Sequence, residues 1–360
     1  MADTALAGSF WILFQFDVCE EIQLETLRRV PGLEGRRDPA FRHPAPDYVR
    51  FERPPIVERL EPVTLPSGGR FLAELNYYEY GVVSLKLELP FELDWPQLVD
   101  LSSRWIAAPE LEAEAARRVR QCLKQVHAAL VKPREDWLSE DYYIIHLKSH
   151  QSVSAAEIIG QHGTEIAQIV RGEMAQLSAG ETAEVLGSRM SYSPGDLLVV
   201  SWTAAFIHDT AEGAAPTIQL IEYANTQLLE FRYYDQVLSR LLENVYRSLE
   251  KKAGAFDRWR LASQAQHLNK IRLDIRELSE RVDTSIKFLS DMFSARLYRL
   301  AAAKVGVDDY RRLVEGKLHT AGELYEFMMA QFHEGRAFAM EVLVIIILIL
   351  DLVFLFRGKG

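Results

Sequence analysis

The sequence predicts an α+β chain: a mixed-sheet α/β domain, then long helices forming a bundle or coiled coil, then one C-terminal transmembrane helix. Three observations carry this expectation. Strand and helix signals alternate up to about residue 215, strand signals stop at Pro216, and "MEVLVIIILILDLVFLFRGKG" closes the chain with an apolar run. The expected organisation is 1–215 for the α/β domain, 216–337 for the helices and 338–357 for the anchor.

In the first part, "SFWILFQFDV" reads as a strand and "CEEIQLETLRRV" as a short helix, followed by a loop rich in Pro, Arg and Gly. "YVRFERPPIVERLEPVTL" contains a strand interrupted by prolines, while "GRFLAELNYYEY" and "GVVSLKLELP" alternate like strands after the turn at Ser67-Gly68-Gly69. "DWPQLVDLSSRWI" and "PELEAEAARRVRQCLKQVHAAL" are helical, the second with Pro109 near its start. The order then recurs: "DYYIIHLKSH" as a strand, a helix from Ser154, and "GETAEVLGSRMSYS" with "DLLVVSWTAAFIHD" as a hairpin around Ser193-Pro194-Gly195. One reading of this order is a duplicated split β-α-β module, 1–130 and 141–253.

Beyond Pro216 the apolar spacing is helical. Leu220, Ala224, Leu228 and Phe231 open one long helix; Leu268, Ile271, Ile275, Leu278 and Val282 keep a heptad register in a second. Gly306 breaks the second, and a third carries Leu313, Leu318, Leu324 and Met328 towards the anchor. An intramolecular bundle and an oligomeric stalk both satisfy this pattern.

The last run is apolar on every side, unlike a surface helix. Phe338 to Phe356 comprises 19 residues, or roughly 28 Å of helix against a hydrocarbon core of about 30 Å. Glu341 and Asp351 interrupt it. A single acid costs about 2.5–3.5 kcal/mol at the bilayer centre, less than the summed gain of its neighbours. An intramembrane acid faces another helix, a partner or water, so Asp351, with Glu341, is a candidate oligomerisation residue. The N-terminus has no basic region before its apolar run, which reads as a strand and not a signal peptide. The expectation is therefore a single-pass protein of the inner (cytoplasmic) membrane with its bulk on the cytoplasmic side and the lipid bilayer as a partner.

A net charge of −10 argues against nonspecific nucleic-acid binding as the main role. Cys19 and Cys122 stand far apart and outside any CxxC pattern, which fits a reducing compartment and no disulfide framework. Phosphate-binding loops are missing: "VEGKLHT" has Gly316-Lys317 but not the rest of a Walker motif, and no GxGxxG or GxSxG occurs. "FHEGRA" places Ala337 where a zincin needs its second histidine. His146, His150 and His162 with Glu165 are the best metal candidates, although nothing in their spacing fixes a geometry. No catalytic residue, cofactor or metal is assigned.

"EYANTQLLEFRYYD" concentrates polar groups at the start of the long helix. Tyr223, Asn225, Gln227, Glu230 and Arg232 form a candidate partner or ligand groove, the alternative being a polar docking interface with pairs such as Glu230–Tyr234.

"YYEYGVVSLKLELP" on a strand, "IEYANTQLLEFRYYD" opening a helix and "RAFAMEVLVIIILILDLVF" at the end resemble one family over about 75–350. It is the family of unknown biochemical activity that includes the "required for meiotic nuclear division" and yeast sporulation proteins. Tyr223, Ala224, Gln227, Leu229 and Glu230 partly match its "YAxAQSxxLxxFE" helix, and Glu341 and Asp351 match its two acids. Leu228 stands in place of the family's serine and Val342 in place of its tryptophan. The resemblance implies a non-enzymatic anchor or scaffold that supports translation, with no catalytic residues to carry over.

Three function classes follow. The first is a membrane-anchored scaffold, a homo-oligomer holding a cytoplasmic protein or ribonucleoprotein partner. The second is a channel with Asp351 at its pore, although the CorA magnesium channels need a second span and a Gly-Met-Asn signature that this chain lacks. The third is an enzyme acting on a small molecule.

Overall fold

The structure is a computed structural model that describes residues 5–30, 33–35, 55–64, 68–106, 108–148, 153–250, 268, 270–278, 280, 292–326 and 344–348. It divides into two units, 1–233 with 278–310, and 234–277 with 311–360.

The first unit is α+β. Its strands are β1 (Leu6–Ile22), β2 (Leu33–Gly35), β3 (Ile56–Thr64), β4 (Arg70–Tyr77), β5 (Val82–Leu93), β6 (Leu130–Lys148), β7 (Arg189–Met190), β8 (Leu197–Val200) and β9 (Ala204–Asp209). They form one mixed nine-stranded sheet in the order β2-β3-β4-β5-β1-β6-β9-β8-β7. Only the β6–β9 pairing is parallel among the described strands. The helices of this unit are α1 (Leu24–Leu27), α2 (Trp95–Trp105), α3 (Pro109–Gln125), α4 (Ala155–Arg171), α5 (Ala179–Gly187), the first part of α6 (Ala211–Glu250) and α8 (Met292–Val305).

Strand alternation gives β1 two faces. Phe10, Ile12, Phe14, Phe16 and Val18 belong to the apolar core with Leu75, Leu85, Tyr143, Ile145 and Phe206 of other strands. Helices α2, α3 and α4 supply Trp95, Leu98, Val119, Ile158, Ile166 and Val170 to it. Burial of each such side chain contributes about 1.5–3 kcal/mol. The helices on this side are ended by local chemistry. Asp94 and Gln97 make a capping box at α2, and Ser154 and Glu157 make one at α4. Gly172 closes α4 at φ 67°, where a Cβ would sit 2.9 Å from Ile106.

The other face of β1, through Ser9, Leu13, Gln15 and Asp17, is buried as well. Helix α6 runs over it, and every residue from Thr217 to Phe231 is buried. Tyr223 of α6 packs against Tyr298 of α8 at 5.9 Å between ring centres.

Several elements depart from the sequence expectation. β1 extends through "CEEI", leaving only Leu24–Leu27 helical, because Cys19–Ile22 continue to pair with β6. "GETAEVLG" is helix α5 and not a hairpin strand: the Ser178 side chain accepts from the Glu181 amide and starts a helix there. "DLLVVSWTAAFIHD" is two strands, β8 and β9, turned at 201–203. Gly306 does break the helices, at φ 95°.

The second unit contains α6 from Tyr234, the helical stretch α7 (270–278) up to 277, and α9 (307–326) from 311. Leu238, Leu241, Leu268, Ile271, Ile275, Val314 and Ala321 are buried. Lys317 reaches Asp235 at 2.6 Å and Ser239 at 2.7 Å.

The transmembrane expectation is corrected: among the described residues no helix is long and apolar enough to cross a membrane. Of 338–357 only 344–348 are described, as helix. The single-pass, inner-membrane location is corrected with it. Glu341 and Asp351 lie outside the described residues, as does His150.

Candidate functional site

The polar side chains of the chain converge where α6 crosses the second face of the sheet. Register creates the lower half of this seam. Asn76 of β4 stands opposite Ser84 of β5, Ser84 opposite Gln15 of β1, and Gln15 opposite Glu140 of β6. Cross-strand neighbours have Cβ atoms about 4.5–5.5 Å apart, so these four form a continuous polar row. The adjacent row holds Glu74, Lys86, Leu13 and Tyr142.

Glu222 supplies the upper half and has no exposed surface. Its Oε1 accepts from Asn76 Nδ2 at 2.6 Å, and its backbone carbonyl accepts from Gln15 Nε2 at 2.9 Å. Lys86 Nζ lies 4.0 Å from Glu222 Oε2 and 2.6 Å from Glu74 Oε1, with its ammonium 5.8 Å above the Trp11 ring. One turn further, Thr226 donates to the Tyr223 carbonyl at 2.7 Å, leaving its hydroxyl to accept from Tyr80 at 2.7 Å. A buried carboxylate is tolerated only with such partners.

Three neutral atoms of the row have no hydrogen-bond partner: Asn76 Oδ1, Ser84 Oγ and Gln15 Oε1. Among the α6 residues singled out above, Tyr223, Asn225, Gln227 and Glu230 are buried. Asn225 donates to its own helix at the Ile221 carbonyl, 2.9 Å away, and both amide atoms of Gln227 lack a partner. Arg232 is half-exposed; it pairs with Glu140 and donates to the Ser139 carbonyl at 3.1 Å.

At the far end of the seam the β1–β6 register shifts between Asp17 and Cys19, so Arg134 to Trp137 bulge out. Arg134 turns back from this bulge to Asp17, 2.7 Å from Oδ1. It also donates to the Cys19 carbonyl and lies 3.9 Å over the Tyr233 ring. Burial raises the Asp17 carboxyl from 3.8 to about 7, with Arg134 opposing. Burial likewise pushes the Cys19 thiol up to about 12 and that of Cys122 to about 11, the opposite of an activated nucleophile.

Of the described metal candidates, His162 and Glu165 lie 3.5 Å apart on α4, but His146 is not brought to them. His146 is held on the α6 side of the sheet by the Asp209 carbonyl, 3.0 Å away, and burial lowers its pKa. His162 lies in α4 on the opposite face, stacked 4.3 Å from Trp95. No cluster of three His, Cys, Asp or Glu suited to a metal occurs among the described residues. A small cavity of about 30 Å³ lies between β8, β9, α6 and α8, lined by Asp196, Asp209, Thr217 and Ser294 with apolar neighbours; it has room for one or two waters.

Residues reading as ordinary strand polar positions, namely Gln15, Asp17, Asn76, Ser84 and Lys86, were thus missed as a site. Their signal was shared parity on adjacent strands, which becomes visible only once the strand order is known.

Residues 7–215 match the family described as "Uncharacterized protein MJ0711, N-terminal domain", and the chain belongs to that family. It is similar to "Uncharacterized protein MJ0711" of Methanocaldococcus jannaschii, with 20% identity over 195 residues, 54% of this chain and 60% of the relative. The chain thus spans about 60% of the length of the curated relative it matches. No solved structure matches. The matched residues include the sheet half of the polar seam and end before Glu222 and the rest of its helical half.

Proposed function

We propose that the chain is a non-enzymatic binding module that presents a rigid α+β platform to a protein or ribonucleoprotein partner. One observation supports this above others: Glu222, a fully buried acid beside the candidate groove residues, is engaged by Asn76, Lys86 and Gln15 of the chain itself. The polar groups that would otherwise orient a substrate instead dock α6 on the sheet. The raised thiols of Cys19 and Cys122 agree with this reading. So does the resemblance to scaffold proteins that support translation. On this view recognition belongs to exposed side chains, of which Trp202 in the β8–β9 turn, 61% exposed, is the first to test.

The test is native co-purification of the intact chain, with Trp202→Ala as the comparison, beside a thermal-shift screen against nucleotides and divalent metals. A stoichiometric partner lost in Trp202→Ala, with no small-molecule shift, is the expected result. A large shift with a nucleotide or metal and no partner would overturn it.

A second reading, a small polar ligand beneath α6, has one observation in its favour: the unpartnered Asn76 Oδ1, Ser84 Oγ and Gln15 Oε1 on three adjacent strands. The same screen decides it, because a shift from such a ligand should weaken in Asn76→Ala.

A further inference from the structure

We propose that Asp17 and Arg134 form a proton-operated latch. With Asp17 ionised, Arg134 is held against Tyr233 and fastens α6 to the sheet; with Asp17 protonated, Arg134 is released.

The geometry has three parts. The first is the bulge: four residues of β6, Arg134 to Trp137, stand opposite Val18 alone, and bulges re-aim side chains. Trp137 anchors its apolar side, 5.7 Å from Phe16 and with Arg120 at 4.6 Å, while its indole donates to the Arg134 carbonyl at 3.1 Å. The Arg134 backbone is therefore fixed from below and its side chain is directed at α6.

The second part is the dependence of Asp17 on one cation. Asp17 has no exposed surface, and neither oxygen accepts a hydrogen bond of good geometry. The Arg134 guanidinium, 2.7 Å away, is the charge that compensates it. An ionised buried carboxylate needs that partner; a neutral one does not. The third part is the grip on α6, where the same guanidinium lies 3.9 Å over Tyr233, a cation–π contact strengthened by desolvation.

The other groups around the pair are few. Cys19, two residues along β1, is held protonated by burial, and Val82, opposite Asp17 on β5, carries no charge. From α6, Tyr233 and the Glu230 carboxylate face Arg134. Burial sets the Asp17 transition at about pH 7, so ordinary changes of pH around neutrality operate the latch.

The test is amide hydrogen exchange of the intact chain across Leu229–Tyr233, from about pH 5.5 to about pH 8.5, corrected for the intrinsic rate. Wild type should lose protection roughly tenfold as pH falls through about 7. Asp17→Asn and Arg134→Gln should be loose at every pH. Protection that is flat with pH in wild type, or a pH step that survives in Asp17→Asn, would overturn the latch. Should Asp17→Asn not fold, carboxyl-carbon NMR of wild type gives the answer. A midpoint near pH 7 that moves the Tyr233 ring resonances supports the latch; a midpoint below about pH 5 overturns it.

Discussion

The two faces of the sheet are built from the same strands yet bury their side chains on different physical terms. Along β1, Phe10, Ile12, Phe14 and Phe16 meet the α2–α4 layer, whereas Leu13, Gln15 and Asp17 meet α6. The first face is held by apolar burial, which has no direction and tolerates exchanges of similar volume. The second is held by hydrogen bonds and ion pairs with fixed partners, such as Asn76 and Lys86 on Glu222. A slip of α6 by one residue would leave the apolar contacts replaceable but strand the carboxylate. Polar groups on this face therefore define where α6 sits, while it too buries apolar side chains such as Ile144, Ile221 and Phe231.

The comparison can be broken most directly by one truncation on each face. Phe14→Ala should cost about 3–5 kcal/mol through lost burial and a cavity, read from the urea midpoint. Glu222→Ala should cost about 1–3 kcal/mol, because the buried Asn76 amide loses its partner while Lys86 keeps Glu74. A cost below about 1 kcal/mol for Glu222→Ala would mean that the seam is not a fastening.

Gly81 comes next. It sits at φ 89° in the β4–β5 turn, where a Cβ would meet the Cys19 carbonyl at 1.9 Å. Gly81→Ala should therefore cost about 1–3 kcal/mol or more, measured by thermal unfolding. An unchanged Tm would show that this turn relaxes freely.

The pH dependence sharpens the contrast, since titrating groups lie on the polar face. Asp17 has a folded pKa of about 7 against 3.8 unfolded, so the folded state binds its proton more tightly. Its contribution to stability is lost as pH rises from about 4 through 7. Buried His146 has a lowered pKa and acts oppositely, with stability lost as pH falls below about 6.5. Asp17→Asn should remove the first slope and leave the second, as shown by urea titrations across that range. Protonation of Asp17 thus raises global stability while loosening the local hold of Arg134 on α6, and the two readouts separate the effects.

The smallest expected effect is the most discriminating. Lys86→Met with Glu222→Met should fall within about 1–2 kcal/mol of wild type, since apolar replacement of a buried ion pair is often near neutral. Fold stability would then be retained while the positioning of α6, followed by exchange at Thr217–Phe231, becomes less sharp.

Much of the architecture was readable in the residues. "SFWILFQFDV" and "GVVSLKLELP" alternate, and the Asp94 and Ser154 caps stand where α2 and α4 begin. The site was legible only in part: the stretch opening the long helix was singled out, but Glu222, which makes the contacts to the sheet, was not among its candidate residues. Tyr223, Asn225, Gln227, Glu230 and Arg232 cluster within ten residues of sequence, whereas their counterparts Gln15, Asn76, Ser84, Lys86 and Arg134 are scattered over 120. Alternation says which side chains share a face; it does not say what covers that face. The polar parity of β1, β4 and β5 reads as a solvent side, and α6 buries it.

The sequence by itself determined the mixed α+β character, the helical character of the described residues beyond Pro216, the break at Gly306 and the lack of phosphate-loop motifs, because local periodicity and turn chemistry act over a few residues; the start of α6 at Ala211, with Pro216 inside the helix, it did not. Tertiary structure decided the nine-strand order, the conversion of "GETAEVLG" to helix, and the meeting of Glu222 with Asn76, Lys86 and Gln15. Those contacts join residues up to 207 positions apart. Their partners are chosen by strand register and by which helix covers which face, and neither is written in any local stretch of the chain.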